Sequence, residues 1–366
     1  MRKKAGRIYG LICAAFFDFG KRAFSAYHKK RKRITRSGII LAAAWIMSDF
    51  CFWGNFMKLK KTAFLTALLM LVTTLAVGCG KIMQQKNAGY TFIDDLGYEV
   101  TVDEPQRAAF CSGSLAEIWL LSGGELFAAT ADAYDEHLFE VPETTVNIGK
   151  MKSPSVETMI DLGVDFAVFS ADIAEHTALR DTLENAGITT AYFSVNKFDE
   201  YLSVLKKFTD ITGRADLYEQ NGEAVQKQTD NVLASVSGKE PPTVLYLRAS
   251  SSAVHAKDSS SLAGGMLKDL GCVNVADNGT LLDDLSLEVI VRSDPDFIFV
   301  TFMGADEEKA RRVLDDTLLS NPAWSELSAV KNGRFVILPK QLFHYRPNAK
   351  WGEAYQQLAD ILFGEE

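Results

Sequence analysis

Basic side chains that follow predicted strands are the residues of this chain best suited to chemistry. After the first 78 residues the chain holds 24 Lys and Arg against 45 Asp and Glu, so a cation there is conspicuous. Arg248 ends a predicted strand, Lys257 lies in the serine-rich loop beyond it, and Tyr345 and Arg346 follow another predicted strand. Ligands of open α/β sheets bind beyond the carboxyl ends of strands. These four residues are therefore candidates for binding an anionic, aromatic or metal-chelating ligand.

Two residues in the first half of the chain are further candidates for the same site. Ser114 follows a predicted strand and is the expected N-cap of a predicted helix, where backbone N–H groups favour an anion or an oxygen ligand. Tyr134 lies in a predicted loop. For each of the six candidates a surface or packing role explains the residue about as well, and the sequence leaves both interpretations open.

Histidines and catalytic motifs give little support to metal capture or to an enzyme. The histidines after residue 78 are scattered, without H-x-x-H or HExxH spacing: His137, His176, His255 and His344. We therefore expect no direct binding of zinc or manganese, whereas haem ligation through Tyr345, His344 or Met266 stays open. The chain has no G-x-S-x-G elbow, no P-loop and no strand-linked G-x-G-x-x-G, so we expect no catalytic residues.

Predicted strands and helices alternate along most of the chain. The predicted strands are 107–111, 165–170, 188–195, 243–249, 296–302 and 334–338, and the predicted helices are 114–121, 176–186, 262–270, 287–292, 307–316 and 348–363. This alternation indicates parallel sheets covered by helices. Residues 198–237 instead have helical character, broken only near Gly213. We predict an α/β fold with lobes at 90–197 and 238–366, joined by a long bridging helix within 198–237.

A targeting segment precedes the lobes. Residues 57–78 begin with basic residues and continue as an uncharged apolar run, and the sequence Leu-Ala-Val-Gly-Cys at their junction with Cys79 resembles the lipobox of bacterial lipoproteins. The resemblance implies cleavage before Cys79 and a lipid anchor on it, followed by a tether at 79–89. A short transmembrane anchor is the alternative. Residues 1–56 carry a net formal charge of +10, and we interpret them as a gene-model extension.

Two segments of the lobes repeat one pattern at an offset of 131 residues. Residues 155–170 read SVETMIDLGVDFAVFS, and residues 286–301 read SLEVIVRSDPDFIFVT. Each predicts a short helix with a serine at its start and an acid in its first turn, Glu157 or Glu288, followed by a strand that begins Asp-Phe. Two related lobes account for the common offset, and chance similarity of two helix–strand units is the alternative.

These two units, together with residues 321–324, residues 329–334 and the lipobox, resemble the substrate-binding lipoproteins of ABC importers for iron complexes and vitamin B12. The resemblance covers residues 90–363. It implies two α/β lobes joined by one long helix, with the ligand in the cleft between the lobes. It also implies that one acid on the outer surface of each lobe, Glu157 and Glu288, docks on arginines of the membrane permease. Two solvated acids at helix starts are the alternative.

The resemblance implies a protein on the extracytoplasmic face of the membrane that binds a ligand and catalyses no reaction. The first expected ligand is a ferric siderophore, delivered to the permease of an ABC importer. Haem or cobalamin as ligand, or a sensing lipoprotein that docks on a receptor, are the alternatives. We expect a monomer held at the membrane by its lipid and without a nucleic-acid partner. We also expect no resident cofactor, because iron would arrive within the ligand.

Overall fold

The computed structural model describes residues 89–135, 139–283, 285–304 and 306–364. The predicted leader, the predicted signal segment, Cys79 and His137 lie outside these ranges. Within them, no helix combines the length and the apolar character that crossing a membrane requires. Cys111 and Cys272 are free and buried, as predicted. Burial raises the pKa of both thiols, that of Cys272 to about 12.

The first lobe is built on a five-stranded parallel sheet. Its strands, with the hairpin that precedes them, are β1 Tyr90–Ile93, β2 Glu99–Val102, β3 Ala108–Phe110, β4 Ala128–Ala129, β5 Val146–Asn147, β6 Gly149–Lys150, β7 Ser153–Pro154, β8 Phe166–Ser170 and β9 Thr189–Phe193. Its helices are α1 Gly113–Leu121, α2 Asp132–Asp135, α3 Val156–Asp161, α4 Ala174–Thr177 and α5 Arg180–Asn185. The sheet order is β5-β4-β3-β8-β9. All four pairings are parallel, so the carboxyl ends of these strands share one edge.

The bridge between the lobes consists of two helical arms. The first, α6, spans Phe198–Thr212 and buries one face at helical spacing, with Tyr201, Val204, Leu205 and Phe208. It ends at Gly213, whose φ of 70° lies in the left-handed region that glycine adopts readily. The second arm is continuous and consists of α7 Ala215–Tyr218, a π-helical turn Glu219–Glu223 and α8 Ala224–Val236. The predicted break at Gly213 is confirmed, and the second arm is the long helix of the bridge.

The second lobe repeats the architecture of the first with one antiparallel strand. Its strands are β10 Thr243–Ala249, β11 Val254–Ala256, β12 Val273–Asn274, β13 Phe297–Phe302 and β14 Phe335–Ile337. Its α-helices are α9 Leu262–Asp269, α10 Thr280–Asp283, α11 Leu287–Ser293, α12 Glu307–Leu314, α13 Ser328–Lys331, α14 Lys340–Phe343 and α15 Trp351–Phe363. Strand β10 pairs in parallel with β13 and β12, and antiparallel with β11, while β14 extends the sheet beyond β13.

Alternating side chains bury both faces of each sheet. In β10, Val244 and Tyr246 belong to one apolar core, whereas Leu245 and Leu247 belong to another on the opposite face. The core that includes Tyr246 is shared by both lobes, because it also contains Phe110 of the first sheet. Burial on both faces is typical of parallel sheets. The predicted α/β fold with two parallel-sheet lobes is thereby confirmed.

The bridge lies on this shared core. Its first arm, α6, packs against α1 and β1 of the first lobe, and its second arm packs along α15 of the second lobe. A Cβ atom added to Gly352 of α15 would stand 2.7 Å from the Cβ of Gln228 in α8. Only glycine permits so close an approach without displacement. The bridge is therefore held to each lobe by its own set of contacts.

Local details differ from the sequence prediction at three places. Helix α1 begins at Gly113, and the extended residue before it is Ser112, so Ser114 is in the first turn and is not the N-cap. Tyr134 lies in the short helix α2, not in a loop. The helix predicted over 176–186 is divided into α4 and α5. The strand predicted over 243–249 matches β10 residue for residue.

Candidate functional site

A cavity of about 550 Å³ lies between the two lobes. The first lobe contributes Asp172 and Asn196 to its wall. Most of the wall comes from the second lobe, whose polar side chains there include Arg248, His255, Lys257, Asp258, His344 and Arg346. The cavity therefore receives a different set of groups from each lobe.

Strand ends position the lining residues. Asp172 follows β8 and Asn196 follows β9, so both lie at the carboxyl edge of the first sheet. Arg248 is the penultimate residue of β10, at the same edge of the second sheet. The cavity thus occupies the position in which open α/β sheets bind ligands.

Three cations of the second lobe face this cavity. They are Arg248, Lys257 and Arg346. Burial lowers the pKa of Lys257, and the charge of Arg248 lowers it further. The two cations are therefore close enough to repel each other in partly desolvated surroundings. A ligand that carries negative charge would relieve this repulsion.

His344 is neutral in this setting. Burial first, and then the charges of Arg248, Arg346 and Lys340, lower its pKa to about 3. Its Nδ1 atom and the Nε atom of Arg248 are both buried without a hydrogen-bond partner in the described part of the chain. Buried polar atoms without a partner are rare, because burial removes their hydrogen bonds to water and no hydrogen bond within the protein replaces them. Two such atoms belong to residues that line this one cavity.

Arg346 reaches from the second lobe to the first. Its Nε donates to the carbonyl oxygen of Val195 at 2.8 Å. Its Nη2 donates to Asp172 Oδ2 at 3.3 Å and to the side-chain oxygen of Asn196 at 3.5 Å. The side chains of Arg346 and Asp172 are 30% and 41% exposed, so the ion pair borders solvent. One lining residue therefore also joins the lobes.

A second polar contact joins the lobes away from the cavity wall. The Nδ2 of Asn348 donates to the backbone carbonyl of Ser114 at 3.0 Å and to Glu117 Oε2 at 2.7 Å. Asn348 is fully buried and has a left-handed φ of 50°, which asparagine tolerates better than most residues. Burial raises the pKa of Glu117 to about 7, although the Asn348 hydrogen bond and the charge of Lys350 oppose the shift.

The structure brings three of the six predicted binding residues together. Arg248, Lys257 and Arg346 line the cavity, whereas Ser114, Tyr134 and Tyr345 do not. Tyr134 donates its hydroxyl to the carbonyl of Thr145 at 2.9 Å within the first lobe. Tyr345 lies beside His344, with ring centroids 5.1 Å apart. Ser114 is buried in α1 and contributes its carbonyl to the interlobe contact. A binding role for any of the six stays a prediction.

Sequence reasoning did not select Asp172 or Asn196 for the cavity. Both directly follow strands of the first sheet, so the same strand-end rule that selected Arg248 applies to them. An acid is not conspicuous in so acidic a body, and a lone amide after a strand has no charge that distinguishes it from other polar loop residues. The sequence indicates His344 only as a possible haem ligand. Its place on the cavity wall follows from the tertiary structure.

The predicted docking acids lie on exposed, similarly built helices. Glu157 is in α3, where Ser155 Oγ accepts from the backbone N–H of Thr158 at 3.1 Å. Glu288 is in α11, where Ser286 Oγ accepts from Val289 N–H at 3.4 Å.

The acids that open the following strands also have matching partners. Asp165 accepts from the backbone N–H of Arg107, next to β3, at 3.1 Å. Asp296 accepts from the backbone N–H of Thr243, the first residue of β10, at 2.8 Å. The 131-residue repeat in the sequence is therefore a repeat of local hydrogen bonding.

A second cavity, of about 610 Å³, lies between the first lobe and the end of α6 in the bridge. Its wall includes Pro105 and Gln106, which precede β3, and the acids Glu104, Glu125 and Asp210. It therefore opens at the amino ends of the strands, the edge opposite to that used by ligands of open α/β sheets. The interlobe cavity is the better candidate for function.

No group of three His, Cys, Asp or Glu side chains in the described ranges is arranged to hold a metal ion. Two histidines, His255 and His344, do line the interlobe cavity. They lie on the same wall as Arg248, Lys257 and Arg346.

The two parallel-sheet lobes, the helical bridge and the cavity at the strand ends define a two-lobe binding protein. Residues 109–342 match the family described as periplasmic binding protein. This match covers more than half of the chain, and the chain belongs to that family.

One curated relative is the Fe(3+)-citrate-binding protein YfmC of Bacillus subtilis (strain 168). It is 28% identical over 193 residues, which cover 51% of this chain and 58% of the relative. The match therefore spans little more than half of that protein's length.

Solved structures of binding proteins share the fold at low sequence identity. Staphylococcus aureus SirA complexed with staphyloferrin B has a TM-score of 0.59 and 18% identity, covering 75% of this chain and 97% of that chain. The periplasmic heme-binding protein HutB of Vibrio cholerae has a TM-score of 0.58 and 19% identity, covering 70% and 98%. These likenesses establish the fold.

Proposed function

We propose that this protein captures an anionic ferric chelate, a ferric siderophore or ferric carboxylate complex, between its lobes and delivers it to the permease of an ABC importer. The observation that carries the proposal is the cluster of Arg248, Lys257 and Arg346 on one interlobe cavity. The iron-citrate-binding relative and the siderophore-bound structural neighbour support this ligand class. Iron would enter as part of the ligand.

Charge is the reason for preferring an anionic chelate. The cavity has three basic side chains and two acidic ones, Asp172 and Asp258, in a chain with a formal net charge of −8. An excess of positive charge against an acidic background attracts and orients an anion. The carboxylates of such a chelate fit the fork of an arginine.

Haem is the second candidate ligand, favoured by a neutral histidine in the cavity wall. His344 keeps its ring uncharged, as ligation to iron requires. However, its Nδ1 is buried and its ring packs against Tyr345. Ligation to iron would therefore use Nε2 unless the ring moved, and the three cations on the same wall favour an anionic chelate as the first candidate. No described residue of the cavity wall favours cobalamin, or a sensing role at a receptor, over an anionic chelate.

The proposal includes attachment at the membrane and docking through the repeated helices. Cys79 would carry the lipid, and Glu157 and Glu288 would contact basic residues of the permease. Both acids are exposed on their helices, one on each lobe, as an electrostatic contact with a partner requires. One partner would then contact both lobes at the same time.

Ligand titration of the purified full-length protein tests the proposal. Tryptophan fluorescence is followed during addition of ferric citrate, a ferric hydroxamate, a ferric catecholate, haem or cyanocobalamin. We expect saturable binding of at least one ferric chelate, and a gain in unfolding free energy of about 2.7 kcal/mol at 100 times its dissociation constant. Saturable binding of haem or cobalamin alone, or of none of the five, would contradict the proposal.

A further inference from the structure

Asp172 forms an ion pair with Arg346 on the wall of the interlobe cavity. We propose that this carboxylate is a built-in competitor that sets the affinity of the cavity for anionic chelates. The inference rests on the proposed function and concerns its specificity. Asp172 belongs to the first lobe and Arg346 to the second, so the competition also couples ligand binding to the contact between lobes.

The geometry gives Asp172 several supports besides Arg346. Its Oδ1 accepts from Ser194 Oγ at 2.8 Å, and its Oδ2 accepts from Asn196 Nδ2 at 3.2 Å and from Arg346 Nη2 at 3.3 Å. These neighbours fix the carboxylate at the end of β8, so it stays beside the cavity whether or not the arginine is bound. Because its neighbours hold it there, the Asp172 carboxylate can compete for Arg346 each time a ligand binds.

Arg346 is held by the first lobe at its Nε and meets an acid at its Nη2. Its Nε is engaged by the carbonyl of Val195 at 2.8 Å, which fixes the guanidinium plane. The Nη2 side then meets Asp172, at the border of the cavity. A planar guanidinium binds carboxylates through paired N–H groups. The carboxylate of a chelate and that of Asp172 therefore compete for the same donors.

Arg248 and Lys257, the other two cations of the cavity, differ from Arg346 in their ion pairing. Neither Arg248 nor Lys257 has an ion pair with a carboxylate among the described residues, whereas Arg346 pairs with Asp172. The side chains of the pair are 30% and 41% exposed and the N–O distance is 3.3 Å, so we expect the pair to contribute little to folding. A weak pair at this position can be exchanged for a ligand, which a structural salt bridge could not be.

Asp258 provides a matched control for Asp172. It lines the same cavity, but its Oδ1 accepts from the backbone N–H and the hydroxyl of Ser260 at 3.1 and 2.6 Å. Asp172→Asn and Asp258→Asn each remove one negative charge from the wall. Only Asp172→Asn also frees the guanidinium of Arg346. The difference between the two variants therefore isolates the direct competition from the general field of the cavity.

The test measures ferric citrate binding to the full-length wild type and both variants by fluorescence titration at low and high salt. We expect Asp172→Asn to bind about three- to tenfold more tightly than wild type, and Asp258→Asn at most about twofold more tightly. The gain should shrink in 0.5 M NaCl, because the pair is accessible to salt. In an Arg346→Gln background, Asp172→Asn should give no gain, since the cycle removes the contact through which it acts.

The possible failures are distinguishable. Equal or weaker binding by Asp172→Asn, an equal gain in Asp258→Asn, or a gain that persists with Arg346→Gln would overturn the inference while leaving capture of the chelate intact. Failure of the folded wild type to bind any ferric chelate would overturn the proposed function, and the inference with it. Near-ultraviolet circular dichroism of each variant establishes that it is folded before its affinity is compared.

Discussion

The two lobes share one architecture but supply different chemistry. Each has a parallel sheet and a repeated unit of capped helix and Asp-led strand on its outer side. At the cavity, however, the cations come from the second lobe, while the first contributes Asp172 and Asn196 as hydrogen-bond acceptors. The repeated pattern therefore governs the outer surfaces, whereas ligand recognition depends on residues that the repeat does not include.

The two repeated helices also differ in charge. The residue four positions after the predicted docking acid is Asp161 in the first lobe and Arg292 in the second. Arg292 Nη2 lies 2.7 Å from Glu288 Oε1, so that acid is already paired. Glu157 is one helical turn from a second negative charge. The first lobe should consequently present the stronger negative field to a cationic partner.

The largest expected effect tests whether the cations of the second lobe bind the negative charge of the ligand. Arg248→Glu should weaken ferric chelate binding by about a thousandfold, or about 4 kcal/mol, because it reverses a charge within the cation cluster. Arg312→Glu makes the same change on an exposed helix of that lobe and should leave affinity within twofold. Fluorescence titration measures both. Equal losses in the two variants would show that net charge, not the cavity, controls binding.

A second effect tests the buried contact between the lobes. Glu117 has a pKa of about 7, above its usual value of 4.5, so its proton is held in the folded state at pH values where the unfolded chain has released it. The stability from this group is fully present below pH 4.5 and is lost as the pH rises through 7. The loss amounts to about 3 kcal/mol. Chemical unfolding at pH 5 and pH 8 measures it.

The matched variant for this effect is Glu117→Gln, which keeps an oxygen to accept from Asn348 but does not ionise. The fall in unfolding free energy between pH 5 and pH 8 should be smaller in the variant than in wild type. Other titrating groups cancel in that difference. An equal fall in both proteins would mean that Glu117 ionises normally and that the contact does not restrain its proton.

The smallest expected effect tests the asymmetry of the docking surfaces. Glu157→Arg should reduce cellular uptake of iron from the chelate by about tenfold, and Glu288→Arg by about threefold, since Glu288 is already neutralised by Arg292. Glu175→Arg reverses an exposed first-turn acid of the first lobe outside the repeat and is the control. Ligand affinity should be unchanged in all three. Larger loss from Glu288→Arg would reverse the proposed ranking.

The sequence predicts the main strands and helices because apolar residues recur along it in runs or at regular spacing. The apolar run at 243–249 corresponds to β10, and the amphipathic spacing in 198–212 corresponds to α6. Strands β4 and β5 could not be predicted, because Ala128–Ala129 and Val146–Asn147 are too short to show a period. They are strands only because neighbouring strands pair with them.

The candidate site is only partly visible in the sequence. Charge contrast and the strand-end rule select Arg248, Lys257 and Arg346, which the fold then brings to one cavity. The contact between Asn348 and Glu117 joins residues 231 positions apart and follows no local pattern. Which cation has a counter-ion, and which acid keeps its proton, depends on tertiary distances that composition does not contain.

The packing of α15 on the bridge has a consequence for biosynthesis. A ribosome that has added residue 350 has made every strand of both sheets, but not the helix that covers the inner side of α8. The second lobe and the bridge therefore cannot complete their shared core until α15 has been made.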